Sequence, residues 1–143
     1  LFCPGNDQSV DALTQLANVG KRQAQCSYYY RHGGKTQLFD SPYSNNVPDH
    51  LQLDRLGDNR NGRPIRALVI DTMFLCPPEL AAFNVKPRTH HRQQVANILF
   101  SDGHVAGRPN TAGRFTVDVT DFSQIRDAFN RILQVFEQAD TEP

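Results

Sequence analysis

Histidine and aspartate residues gather in the second half of this chain in a pattern that could bind a metal ion. His90 and His91 are adjacent, Asp102 and His104 lie two residues apart, and Asp71 ends a short apolar run. Imidazole and carboxylate groups are ligands for zinc and iron. Successive side chains on a strand point to opposite faces, so only one of the adjacent histidines can join His104. A candidate metal site would therefore consist of Asp71, His91, Asp102 and His104.

A structural role is the alternative for the same residues. A turn aspartate such as Asp102 accepts hydrogen bonds from backbone N–H groups, and a nearby histidine can donate to that carboxylate or to a carbonyl. Other enzyme signatures are absent, because the sequence has no G-x-S-x-G segment and no glycine pattern typical of nucleotide-binding loops.

The cysteines leave two alternatives open. The three residues Cys3, Cys26 and Cys76 allow one disulfide with one thiol left over, or they are small buried side chains. No C-x-x-C pair is present, which excludes a zinc ribbon and a c-type haem attachment. No base lies near any of the three in sequence, so nothing local indicates a catalytic thiol.

The composition fits a single domain spanning residues 1–143, with 38% hydrophobic and 21% charged residues. Fifteen basic and fifteen acidic side chains cancel, which disfavours a nucleic-acid partner because such partners are bound largely by a basic excess. No apolar run approaches the roughly 20 residues of a membrane helix, and no signal peptide is visible. We expect a soluble domain.

The apolar spacing predicts a sheet flanked by two helices. A short helix should follow the opening turn, with Val10, Leu13, Leu16 and Ala17 on one face and Gly20 at its end. Strands are predicted at 26–30, 65–71 and 95–100, the last entering an Asp102-Gly103 hairpin turn, and Phe115, Val117 and Val119 alternate. Residues 31–64 are mostly polar and predict a long surface excursion with one hairpin.

An amphipathic helix is predicted from Asp121 to Gln138, with Asp121 and Gln124 forming a capping box. Its apolar stripe allows two interpretations. It packs on the sheet as part of the core, or it docks on a partner through Phe122, Ile125, Phe129, Ile132 and Phe136.

Several segments, taken in order, resemble one protein family. They are 1–7 (LFCPGND), 26–30 (CSYYY), 67–71 (ALVID), and His91 followed by Asn97–Val105 (NILFSDGHV). They resemble the C-terminal half of the planctomycete-type prepilin-like or pseudopilin proteins, which end in an H…N-V-L-F-x-D-G-H-V element. Ten residues, rather than the usual nine, separate His91 from Asp102, Gly5 stands where serine is usual, and the C-terminal helix has no counterpart.

The resemblance implies an α+β, pilin-like head domain with a mainly antiparallel sheet, whose N-terminal hydrophobic helix lies outside this chain. It implies a non-catalytic subunit of a type II secretion pseudopilus or type IV pilus-like assembly. Its place would be the cell envelope, periplasmic or extracellular, and its partners other pilin-like subunits or envelope proteins. His91, Asp102, Gly103 and His104 would hold the terminal hairpin against the Asp71 strand. Some pseudopilins bind calcium, for which Asp71 and Asp102 would be the first candidates.

Two other functions compete with this interpretation. One is a small metal-dependent hydrolase, with Asp71, His91, Asp102 and His104 around one ion such as zinc. The other is a binding subunit of a larger complex that docks through its C-terminal helix.

Overall fold

The computed structural model describes residues 2–8, 12–21, 26–31, 56–83 and 85–143, and its fold is α+β. Two α-helices accompany two sheets in this part of the chain. The helices are α1 (Ala12–Asn18) and α2 (Ala128–Ala139), and the strands are β1 (Tyr28–Tyr30), β2 (Ala67–Asp71), β3 (Phe74–Leu75), β4 (Val95–Phe100), β5 (Val105–Pro109) and β6 (Val117–Asp118). The predicted fold class is therefore confirmed.

The larger sheet has the order β1-β2-β4-β5, and every neighbouring pair is antiparallel. In β4 the side chains of Ala96, Ile98 and Phe100 are buried and alternate with partly exposed ones, as expected of a strand with one face on the core.

The predicted hairpin is present between β4 and β5. Its turn closes through hydrogen bonds from Phe100 N to His104 O and from Gly103 N to Phe100 O, and Gly103 takes the positive φ of 89° that glycine tolerates best.

The smaller sheet pairs β3 with β6 in parallel. Phe115, Val117 and Val119 are all buried, so the predicted alternation points into the core. A 3-10 helix, Pro78–Phe83, follows β3 in the chain, and Pro77 and Pro78 stand at its start.

The C-terminal helix begins later than predicted. Residues Phe122–Asp127 form a 3-10 helix, and α2 follows from Ala128. The cap also differs from a capping box, because Asp121 accepts from Ser123 N at 2.8 Å and Gln124 Oε1 accepts from Thr120 N at 3.2 Å. Each of these hydrogen bonds is displaced by one residue from the capping-box pattern.

The apolar stripe of this helix packs mainly on the core. Phe136 is 1% exposed, and Ile125 and Ile132 pack against the buried cluster, while Phe129 is half-buried. Phe122 is 58% exposed, with its ring 4.8 Å from the ring of Phe83. The expected docking surface is therefore wrong as a continuous stripe, because burial of Phe136 in the core removes it from contact with a partner.

The predicted apolar face of the N-terminal helix is exposed and not buried. Leu13 and Leu16 are 77% and 61% exposed, so they do not form the expected core face. Gly20 follows α1 with a φ of 77°, as its predicted position at the helix end requires. Val10 lies outside the described residues.

The predicted polar excursion lies mostly outside the described residues, which resume at residue 56. In the described remainder, an Asn61-Gly62 turn closes an antiparallel bridge between Asp58 and Pro64. No helix among the described residues has the length and apolar character needed to cross a bilayer.

Candidate functional site

A polar cluster lies where β2 and β4 run side by side. Asp71 is the last residue of β2, and the register of Ile70 with Ile98 brings it next to Asn97 of β4. Asn97 donates twice to Asp71 Oδ2, from its backbone N at 2.9 Å and from Nδ2 at 2.8 Å. The side chain of Asp71 is 1% exposed, and its other oxygen, Oδ1, is buried without a hydrogen-bond partner among the described residues.

His91 completes this side of the cluster. Its Nε2 lies 3.3 Å from Asp71 Oδ2, 2.9 Å from Asn97 Nδ2 and 3.5 Å from Cys3 Sγ. The residue begins a tight left-handed turn in which His91, Arg92 and Gln93 have φ values of 51°, 54° and 61°. Non-glycine residues rarely adopt this conformation, and it persists only where surrounding contacts hold it.

Those contacts come from the N-terminal segment. His91 N donates to Gly5 O at 2.9 Å, and Arg92 N donates to Asp7 Oδ1 at 2.9 Å. A Cβ on Gly5 would lie 2.4 Å from Cε1 of the His91 ring. Glycine at this position therefore lets the segment approach the imidazole.

Cys3 brings a thiol into the cluster from the same segment. Its Sγ accepts from Gly5 N at 3.3 Å, and the residue is 7% exposed. Tyr28 pairs with Asp71 from β1, which lies on the opposite side of β2 from β4. Burial raises the pKa of Tyr28, and the neighbouring Cys3 thiol and Asp71 carboxylate raise it further.

The adjacent His90 lies apart from these contacts. It is fully buried, and its Nδ1 donates to the carbonyl of Thr72 at 2.7 Å. Its Nε2 has no hydrogen-bond partner among the described residues. Burial lowers the pKa of His90, so the ring is neutral at pH 7.

The predicted metal site is divided by the structure. Asp71 and His91 are together, but Asp102 and His104 lie in the β4–β5 turn, five and seven residues beyond Asn97. Asp102 accepts from the backbone N of His104 at 3.1 Å and from its Nδ1 at 2.6 Å, and these hydrogen bonds lower the pKa of Asp102. The His104 ring stacks on Phe100 with a centroid separation of 4.5 Å. The expectation that these two residues join Asp71 was wrong, because the extended strand rises about 3.3 Å per residue away from it.

Cys3 and Asn97 are the site residues that sequence reasoning missed. Both lie within segments quoted for the pilin-like resemblance, but no local spacing connects residue 3 with residue 91. All three cysteines are free, so the disulfide alternative was wrong and Cys3 fits the alternative of a small buried side chain.

The chemistry available to the cluster follows from its geometry. Cys3 and Asp71 both approach His91 through Nε2, whereas a nucleophile–histidine–acid relay uses the two ring nitrogens separately. A thiol, a carboxylate oxygen and an imidazole nitrogen within 4.8 Å of one another can instead converge on one cation.

No protein-family model, curated protein or solved structure matches this chain.

Proposed function

We propose that this chain is the head domain of a pilin-like structural subunit, of the kind that builds a type II secretion pseudopilus or a type IV pilus-like assembly in the cell envelope. Its partners would be other pilin-like subunits or envelope proteins. Its role would be mechanical rather than catalytic.

One observation carries the proposal. The residues quoted for the resemblance are scattered over about a hundred positions, yet Cys3, Asp71, His91 and Asn97 meet within 2.8–3.5 Å contacts. Tyr28, from the Ser-Tyr segment, pairs with Asp71 in the sheet. Unrelated chance matches would have no reason to meet in space, whereas segments that define one fold would do so.

The way the N-terminal segment is attached also supports this role. Asn6 bridges to His90, Asp7 N donates to Thr89 O at 3.0 Å, and Thr89 N donates to Gln8 Oε1 at 2.8 Å. A head domain carried on a filament through its N-terminal side needs that side joined firmly to the sheet. These bonds provide such a joint.

The two competing functions have less support. A hydrolase with four ligands around one ion requires Asp102 and His104 beside Asp71, and these residues instead bond to each other in the β4–β5 turn. A subunit docking through the whole α2 stripe requires an accessible Phe136, which is buried.

The coding sequence upstream of Leu1 provides the test. We expect a short basic leader, a small-residue cleavage site and then an apolar stretch of roughly 20 residues. In the host, the mature protein should then sediment with the envelope fraction and form cross-links to further copies or to other pilin-like proteins. An upstream sequence without such a stretch, or a protein recovered only from the cytoplasm, would overturn the proposal.

A further inference from the structure

We propose that Cys3, Asp71 and His91 bind a zinc ion, which fastens the N-terminal segment to the ends of the two central strands. This inference rests on the geometry of the cluster and does not depend on the proposed pilin-like function.

The distances fit a tetrahedral metal centre. With Zn–S of about 2.3 Å and Zn–N and Zn–O of about 2.0–2.1 Å, tetrahedral angles place sulfur about 3.5 Å from nitrogen and nitrogen about 3.4 Å from oxygen. The structure has Cys3 Sγ 3.5 Å from His91 Nε2, and His91 Nε2 3.3 Å from Asp71 Oδ2. Two of the three distances between ligand atoms therefore match the edges of a coordination tetrahedron, and all three ligand atoms lie within 4.8 Å of one another.

A cation would relieve one electrostatic conflict in the cluster. An unprotonated Nε2 of His91 can accept from Asn97 Nδ2 at 2.9 Å, but it then faces the Asp71 carboxylate at 3.3 Å with lone pairs opposed. A cation between Nε2 and Oδ2 removes this repulsion, because it accepts a lone pair from each atom, and Asn97 Nδ2 still donates to Asp71 Oδ2 at 2.8 Å.

The charge of Asp71 leads to the same conclusion. Its side chain is 1% exposed, its Oδ1 lacks a hydrogen bond, and among the described residues its one ion-pair partner is His91. A buried carboxylate is normally compensated by a cation or a full set of donors. A zinc ion at Oδ2 supplies the missing positive charge.

The donor set selects the metal. Sulfur and imidazole nitrogen favour zinc over calcium or magnesium, which bind through oxygen. Asn97 would act as a positioning residue, because its backbone N and Nδ2 hold Asp71 Oδ2 in place. His91 is 32% exposed on its side chain, so a water molecule can reach the fourth coordination position.

Metal titration of the tag-free chain tests the site. After treatment with EDTA and desalting, zinc should bind at one ion per chain by calorimetry and raise the melting temperature. Cobalt(II), used as a probe, should produce a thiolate charge-transfer absorption band. Zinc should also slow alkylation of Cys3 by iodoacetamide, measured by peptide mass spectrometry, while exposed Cys26 reacts at an unchanged rate.

Substitutions of the three proposed ligands test where the zinc ion binds. Cys3→Ser, Asp71→Asn and His91→Asn should each weaken zinc binding by at least about tenfold, the lower end of what even outer-shell changes cost. Asparagine suits the positive φ of His91. Cys26→Ser and His104→Gln are the matched controls, and both should bind zinc as the parent does.

The test of the zinc site does not depend on whether every variant folds or on the pilin-like proposal. If a variant unfolds, zinc-dependent protection of Cys3 from alkylation in the unsubstituted chain still shows whether the site binds zinc. No zinc-dependent protection of Cys3, or equal zinc affinity in a folded Cys3→Ser variant, would overturn the site. An upstream sequence without a hydrophobic helix would leave this inference untouched.

Discussion

Arg31 and Asp140, which are 109 positions apart in sequence, form a fully buried ion pair with a 2.8 Å separation. Both side chains are 0% exposed. Asp140 also accepts from Asn59 Nδ2 at 2.8 Å and from the backbone N of Arg66 and Ala67 at 2.8 and 2.9 Å. One carboxylate at the end of α2 therefore joins the helix to the start of β2, the end of β1 and the turn that follows Asp58.

Asp140→Asn should destabilise the chain by about 3–5 kcal/mol, because it leaves the Arg31 guanidinium buried without a counter-charge. Urea unfolding measures this loss. Asp127→Asn is the matched control, since Asp127 pairs with Arg131 at 3.0 Å on the surface and is 53% exposed. Its effect should be much smaller. Equal losses in the two variants would contradict a special role for the buried pair.

Gly5→Ala should destabilise the chain by about 1–3 kcal/mol, the usual range for overpacking. The new Cβ would meet the His91 ring at 2.4 Å, so either the N-terminal segment or the ring must move. A double-mutant cycle with His91→Ala checks the cause. The cost of Gly5→Ala should largely vanish once the ring is removed, and an unchanged cost would show that the His91 contact is not its origin.

The sequence predicted the elements whose signals are local. The apolar run Val95–Phe100, the Asp102-Gly103 turn and the alternating Phe115, Val117 and Val119 all form as expected. Helix α2 was predicted with its start several residues too early, because the sequence pattern of a 3-10 turn resembles that of the first turn of an α-helix.

The site was predicted only in part. Asp71 and His91 were identified from their residue types, whereas Cys3 comes from a segment 88 residues away from His91. Contacts of that separation depend on strand pairing and on the left-handed turn at His91–Gln93. A pattern of residue spacing carries no information on either. Asp102 and His104 were misplaced for the same reason, since their spacing suits a turn as well as a ligand pair.

The free energy of unfolding should fall as the pH is lowered from about 7 to about 5, with His90 contributing to the slope. Burial lowers the pKa of His90 in the folded state, while the unfolded ring keeps a pKa near 6.5. The unfolded chain therefore binds the proton first, and stability present above about pH 6.5 is lost below it.

His90→Asn isolates this contribution. The asparagine Nδ2 can still donate to Thr72 O, as His90 Nδ1 does at 2.7 Å, but it does not titrate. Urea unfolding at several pH values should give the variant a shallower acid slope. A slope identical to that of the parent chain would assign the pH dependence to other groups.

Phe136→Ala should cost about 3–5 kcal/mol, the range for removing a buried phenylalanine, because its side chain fills the core at 1% exposure. Phe122→Ala should cost far less, since Phe122 is 58% exposed and contacts Phe83 at the surface. Unfolding curves give the two losses, and size-exclusion chromatography reports any self-association. If α2 is a core helix, Phe136→Ala loses much more stability than Phe122→Ala, and neither variant changes association. Altered association in a stably folded Phe122→Ala variant would instead show that the chain associates through the exposed end of the stripe at Phe122.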